Sequence, residues 1–225
     1  MAELISVDRK GPSIAVVTLQ RAEKKNALSI ALRDAISSAL DGLQSDPDLK
    51  VVILTGAGDV FSAGFDLGEF ALAKDDRVLH GKIWQSSDRY HQALLNFPLP
   101  LIAAVNGPAL DGGCDTATLC DLRLASTRAS FGHPEATWAT VVYGPLHDLL
   151  GGAVARDLCL TGRTLDATEA LRLNFVTAVV QPDTLIEEAL RLAEQIARAP
   201  REILLRTKAK MIRRSAIAFT GTLDL

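Results

Sequence analysis

Cysteine is scarce in this chain: only Cys114, Cys120 and Cys159 occur in 225 residues. They form no C-x-x-C pair and are odd in number, so neither a disulfide framework nor a thiolate zinc site is indicated. Reduced thiols acting as small buried apolar residues fit best. A basic surplus is also missing. Lys and Arg number 24 against 27 Asp and Glu, a net charge of −3, which leaves too little positive charge to grip a nucleic-acid backbone. No stretch approaches the roughly 18 consecutive apolar residues of a membrane span. The N-terminal MAELISVDRK contains acids and no apolar segment of the secretory kind. These absences predict a soluble, cytoplasmic protein with neither nucleic acid nor membrane as a partner. An anionic ligand would have to be met by a few local cations, for example Lys24 and Lys25.

Several familiar catalytic signatures are incomplete. VVILTGAGDVF runs from an apolar stretch into Gly56-x-Gly58, but Phe61 stands where a dinucleotide-binding turn needs its third glycine. Ser62 lies in DVFSAG, with Val60 at the first glycine position of a nucleophile elbow. His80, His91, His133 and His147 show no H-E-x-x-H spacing and read as surface or hydrogen-bonded structural residues. A Walker A lysine is absent.

What is present is a core. Apolar residues make up 48% of the chain and the mean hydropathy is +0.18, as expected of one globular domain. Ile14–Leu19, Val51–Gly56, Leu101–Gly107, Leu122–Ser126 and Val176–Val180 are short β-branched runs bounded by turn residues, and they predict buried strands. Helical patterns separate them. Leu32, Ile36, Leu40 and Leu43 share a face after a Ser29 N-cap, and Asp166 with Glu169 resembles a capping box. Strands alternating with helices predict an α/β domain over residues 1–181. From Pro182 onward the pattern is helical with a break near Pro200, giving a C-terminal helical region over 182–225.

Two glycine turns carry the chemical interest, FSAGFDL (Phe61–Leu67) and LDGGCD (Leu110–Asp115), each downstream of a predicted strand. Glycine lets the chain turn tightly and bring bare N–H groups close to a ligand. Two such turns from neighbouring strands can aim two amides at one carbonyl oxygen, the construction of an oxyanion hole. Asp115 opens a predicted helix and Glu135 follows an extended run, both beside apolar sequence. Partly buried carboxylates move protons near neutrality, although either one alone also reads as a helix cap or a surface charge.

Taken together, AEKKNALS (Ala22–Ser29), VVILTGAGDVFSAGFDL (Val51–Leu67), LIAAVNGPALDGGCDTATLCDLRLAS (Leu101–Ser126), FGHPE (Phe131–Glu135) and LTGRTLDATEALRLNFVTAVV (Leu160–Val180) resemble the enoyl-CoA hydratase/isomerase, or crotonase, superfamily over nearly the whole chain. The resemblance implies an α/β crotonase-like spiral of β-β-α turns with a helical C-terminal region, assembled as a homotrimer or a dimer of trimers. It implies an acyl-CoA thioester as substrate, coenzyme A being part of that substrate and not a separate cofactor, and no metal. The reaction it implies is that of a hydro-lyase adding water to a 2-enoyl-CoA, with enoyl-CoA isomerisation, other thioester-enolate chemistry or non-catalytic acyl-CoA binding as the alternatives. Carried over, Asp115 and Glu135 are the acid/base pair and the Phe65 and Gly112 N–H groups form the oxyanion hole. Lys24, Lys25, Ala27, Ala63, Asp66 and Leu67 line the coenzyme A path. Asp115 stands where Glu is usual, and Asp111 stands where a third glycine is common. A carboxylate at 111 would oppose an enolate unless it turns away or binds a proton. ATWATVVYGPLHDLLGG lacks the usual glycine-rich segment after the second acid, and Leu225 falls short of the final helices that cover the ligand in this superfamily.

Overall fold

The computed structural model describes residues 3–215 and 220–225. β1 (Ile5–Lys10) and β2 (Ile14–Leu19) form an antiparallel hairpin. α1 (Ile30–Gln44) begins where Ser29 Oγ accepts the Leu32 N–H at 3.3 Å. It is followed by β3 (Val51–Gly56), α2 (Leu67–Ala73) and α3 (Arg77–Leu95). Next come β4 (Leu101–Val105), β5 (Ala109–Leu110), α4 (Gly112–Leu119), β6 (Leu122–Ser126) and β7 (Ser130–Gly132). After α5 (Gly144–Thr161), kinked at Gly151, lie β8 (Thr164–Asp166), α6 (Ala167–Arg172) and β9 (Ala178–Val180). α7 (Leu185–Ala197) and α8 (Arg201–Ser215) flank the expected break at Pro200.

The main sheet has the order β1-β2-β3-β4-β6-β9 and is parallel from β2 onward; a smaller sheet has the order β5-β7-β8. The chain alternates between them. β4 in the main sheet leads to β5 in the small one and then to α4, and β6, β7 and α5 repeat the step. β3 does the same in outline, because Ser62 bridges Ala109 before α2 begins. These are the β-β-α turns of a spiral.

The central strands are buried on both faces, which is why they read as unbroken apolar runs. Successive side chains alternate between two cores. Ala15, Val17, Val52, Leu54 and Ala103 join Leu32, Ile36 and Leu40 of α1 in one. Ile14, Val16, Val51, Ile53, Ile102 and Ala104 pack against Leu185, Ala189 and Ala193 of α7 in the other.

Two strand boundaries differ from expectation. Pairing ends at Val105, where Asn106 turns the chain toward the small sheet; its Oδ1 accepts the Gly56 N–H at 3.2 Å and its Nδ2 donates to the Gly58 carbonyl at 2.8 Å. Phe175 and Val176 instead close the end of α6, their N–H groups bonding the Ala170 carbonyl, so β9 starts at Ala178. Among the described residues no helix is long and apolar enough to cross a membrane.

Candidate active site

The site begins in the loop after β2. Asn26 is fully buried at φ 52°; its Nδ2 donates to the carbonyls of Ala57 (2.9 Å) and Val60 (2.7 Å), and its Oδ1 accepts the Arg21 N–H (2.9 Å). This pins the loop to the end of β3. Main-chain bonds then stitch it to the first glycine turn, Ala63 N–H to the Lys25 carbonyl at 3.0 Å and Leu28 N–H to the Gly64 carbonyl at 2.7 Å. Lys24 and Lys25 remain exposed. Asp66 caps α2 through the Gly68 N–H and receives the Arg21 guanidinium at 2.6 Å. Burial pushes its carboxyl up, but the Arg21 bond and the Gly68 N–H outweigh that and hold it below the ordinary range.

The second turn is seated against the first. A Cβ on Gly113 would overlap the Ser62 carbonyl, and a Cβ on Gly112 would press on the Phe65 ring. The Arg33 guanidinium lies 4.7 Å from the centre of that ring on its other contacts, held by the Leu28 and Ile83 carbonyls. Gly112 heads α4, all eight residues of which are buried. The N-terminal N–H groups of a helix attract negative charge, so this end suits a developing oxyanion.

Asp111 neither turns away nor caps α4. Its Oδ2 accepts the Phe65 N–H at 2.7 Å. Burial, with the charges of Glu135 and Asp115 next to it, pushes its carboxyl up to about 8. The second of the two sequence-based alternatives, a bound proton, therefore describes it near neutrality.

Asp115, one turn into α4, and Glu135, in the short 3-10 turn Pro134–Thr137 after β7, are both buried. His133 joins them: its Nδ1 lies 2.9 Å from Glu135 Oε1 and its Nε2 3.5 Å from Asp115 Oδ1. Burial opposes a charge on this imidazole, yet Cys114, Asp115 and Glu135 together raise it well above the ordinary histidine range. His91 approaches from α3, with Nε2 3.9 Å from Asp115 Oδ2 and Nδ1 2.9 Å from the Ser87 carbonyl. Asp115 Oδ1, Glu135 Oε2 and His91 Nε2 are buried without a hydrogen-bond partner. Buried polar atoms are almost always paired in proteins, so these three leave hydrogen-bonding capacity for a water or a ligand in one cluster. No group of three or more His, Cys, Asp or Glu among the described residues is arranged to hold a metal ion.

Asp111, Asp115 and Glu135 form the polar floor of a cavity of about 190 Å³. Phe65, Phe70 and Trp84, with ring centres 5.9–6.2 Å apart, make one apolar wall, and Trp138 and Val142 belong to the other. Thr222 closes part of the rim, its N–H and hydroxyl both donating to Asp88 at 2.8 Å.

The family model for enoyl-CoA hydratase/isomerase matches residues 9–221. The chain belongs to the enoyl-CoA hydratase/isomerase family. A probable enoyl-CoA hydratase of Rhizobium meliloti is 39% identical over 202 residues, 87% of this chain and 76% of that protein. The mitochondrial enoyl-CoA hydratase domain-containing protein 3 of Rattus norvegicus is 34% identical, with 89% and 68% covered. Among solved structures, an enoyl-CoA hydratase/isomerase from Xanthobacter autotrophicus Py2 superposes with a TM-score of 0.88 at 30% identity, covering 100% of this chain and 90% of that one. An enoyl-CoA hydratase from Bacillus anthracis gives 0.86 at 32% identity, covering 97% and 92%. The fold is thus the one these enzymes share.

Within this enoyl-CoA hydratase/isomerase fold, Asp115, Glu135, Phe65 and Leu67 all line the cavity, and Gly112 lies directly under Phe65. Lys24, Lys25, Ala27, Ala63 and Asp66 lie on the stitched loop and turn and do not line it. Reading the histidines as isolated missed His133 and His91. The H-P-E spacing was the available signal, since it sets His133 two residues from an acid on a turning chain. Arg21, which bonds both Asp66 and the Ala27 carbonyl, left no comparable signal.

Proposed function

We propose that the protein is a 2-enoyl-CoA hydratase. One observation carries the reading: Asp115 and Glu135 line the same cavity from different elements, buried, each with an oxygen that makes no hydrogen bond to the protein. A water held between them can add syn across the C2=C3 bond. The water oxygen bonds to C3, one water proton passes to Glu135 Oε2, and Glu135 then delivers a proton to C2, ending as the carboxylate it began as. Asp115 orients the water. His133 grips Glu135 through Oε1 and leaves Oε2 for the proton, while its charge stabilises both carboxylates. The thioester oxygen, which gains charge as the enolate forms, is directed at the head of α4 and the Phe65 turn.

In this reading the acyl part occupies the aromatic-walled cavity and Leu67 borders the pantetheine arm. Ala27, Ala63 and the Arg21-neutralised Asp66 flank the arm, and Lys24 and Lys25 meet the phosphates. Coenzyme A enters only as part of the substrate. The proposed assembly is a homotrimer or a dimer of trimers in the cytoplasm, and the mass in solution tests the first part. The function is tested by offering crotonyl-CoA and a 3-enoyl-CoA side by side and following conjugated absorbance. Loss of absorbance from crotonyl-CoA is expected. A gain from the 3-enoyl-CoA with crotonyl-CoA unchanged would make the protein an isomerase, and binding of both without change would make it a non-catalytic acyl-CoA binder.

A further inference from the structure

We propose that the Asp111 side chain is itself an oxyanion donor: it takes the Phe65 N–H on Oδ2 and presents its own O–H to the thioester oxygen beside the Gly112 N–H. The proposal rests on the enoyl-thioester reading above and concerns how that site holds the carbonyl.

The first argument is position. Asp111 Oδ2 lies 2.7 Å from the Phe65 nitrogen, where a thioester oxygen would lie if it used that amide directly. The carboxyl also lines the cavity, and the Phe65 N–H it accepts is not free for a bound carbonyl. The second is strain. An aspartate at a helix N-cap ordinarily takes extended dihedrals and accepts an N–H from its own first turn. Asp111 is at φ 52°, ψ −134° and makes no such bond. A non-glycine residue there is strained, and such strain persists where the surroundings over-determine it. Here the Asp111 N–H donates to the Gly132 carbonyl (2.9 Å), and its own carbonyl accepts from Cys114 (2.7 Å) and Asp115 (3.1 Å). The third is shape, because Gly64 at φ 90° leaves open the space that the Asp111 carboxyl fills; a Cβ there would overlap it.

The proton follows from the company. The charged or titratable groups around Asp111 are Asp115 from α4, Glu135 and His133 from the end of β7 and the turn after it, and Arg33 from α1 across the Phe65 ring. Three carboxyl groups in one buried pocket cannot all ionise. Among the described residues the nearby imidazoles face the other two acids, His133 pairing with Asp115 and Glu135 and His91 approaching Asp115, and Arg33 is engaged by main-chain carbonyls. Asp111 is left to keep its proton, which a hydrogen bond shared with Glu135 also favours, in line with the shift to about 8; in the proposal the bound thioester oxygen takes that O–H over from Glu135. A neutral carboxyl accepts with one oxygen and donates with the other. Held in a buried site, it can stabilise an enolate by a hydrogen bond with no proton transferred.

Three forms of the full chain test this: unchanged, Asp111→Asn and Asp111→Gly, with crotonyl-CoA hydration followed from about pH 6 to pH 10. The unchanged protein is expected to slow as pH passes about 8. Asp111→Asn, whose amide accepts and donates without ionising, should stay within about tenfold in kcat at neutral pH and lose that alkaline fall. Asp111→Gly returns the Phe65 amide one carboxyl width further back. That misregisters C2 and C3 against Glu135 and should cost about 100-fold. A glycine variant as fast as or faster than the unchanged protein, or an Asn variant that keeps the alkaline fall, overturns the proposal. The infrared carbonyl band of bound acetyl-CoA supplies a readout without turnover. A lower frequency in the Asp and Asn forms than in the Gly form is expected, and equal frequencies in all three overturn the idea. A chain that polarises acetyl-CoA in this way yet hydrates no enoyl-CoA would sink the hydratase reading and leave the donor role of Asp111 standing.

Discussion

The turn at Ser62–Phe65 and the turn at Leu110–Gly113 leave neighbouring strands, meet through the Ser62–Ala109 bridge and run into helices, yet they are loaded differently. The first puts its positive φ on Gly64 and enters α2, a helix with a largely open face. Its acid, Asp66, is neutralised by Arg21. The second puts its positive φ on Asp111 and enters α4, which is buried throughout and carries Asp115 toward Glu135 and His133. The same backbone device thus carries a neutralised acid where solvent is near and a cluster of buried acids where it is excluded. Burial is the physical difference. It strengthens every charge interaction around the second turn and raises the cost of any unpaired group there.

The largest expected effect tests the acid that the second turn's helix brings Asp115 toward. Glu135→Gln keeps the side-chain shape beside His133 but removes the proton acceptor, and kcat on crotonyl-CoA should fall about 1,000-fold with little change in Tm. Unchanged turnover would move the chemistry elsewhere. Next comes the seam between the turns. Gly113→Ala drives a Cβ into the backbone carbonyl of Ser62, which no side chain can relieve, and should destabilise by about 3 kcal/mol in denaturant unfolding. Gly64→Ala meets the Asp111 side chain instead. Its cost, about 2 kcal/mol, should fall by roughly half in the Gly64→Ala/Asp111→Gly double variant, leaving the φ strain behind. No recovery in that double variant would mean that the turns are not coupled through Asp111.

His133→Gln removes the cation between the two acids. Hydration should slow about 30-fold, because the two acids then face each other without the imidazole between them. An unchanged rate would reduce His133 to packing. The smallest effect is on stability. Asp111 is raised from its ordinary 3.8 to about 8, so the folded state binds more protons than the unfolded one between those values. Its contribution is complete below about pH 4 and is lost as pH rises through about 8. His133, also raised, works in the same direction. Asp111→Asn should therefore match the unchanged protein in Tm near pH 4 and exceed it near pH 9.

The elements legible in the sequence are those whose cause is local. Strands buried on both faces advertise themselves as apolar runs, as Val51–Gly56 does, and caps such as Ser29 and Asp166 announce their helices. β5, β7 and β8 have two or three residues each and exist only because the spiral brings them side by side. The candidate acids and the glycine turns could be named from their residue types. For His133 the H-P-E spacing signals only its pairing with Glu135; its second partner, Asp115, reaches it from another element.

The amino-acid sequence by itself determined the α/β alternation, the family resemblance and which residues are chemically able to act, since periodicity, glycine spacing and acid placement are properties of neighbouring residues. Tertiary structure alone decided that Asp111 sits on the Phe65 amide, that one imidazole serves two acids, and that Arg21 and Asp66 cancel. Each of these joins groups distant along the chain, and only the buried surroundings created by packing set their protonation and their strength.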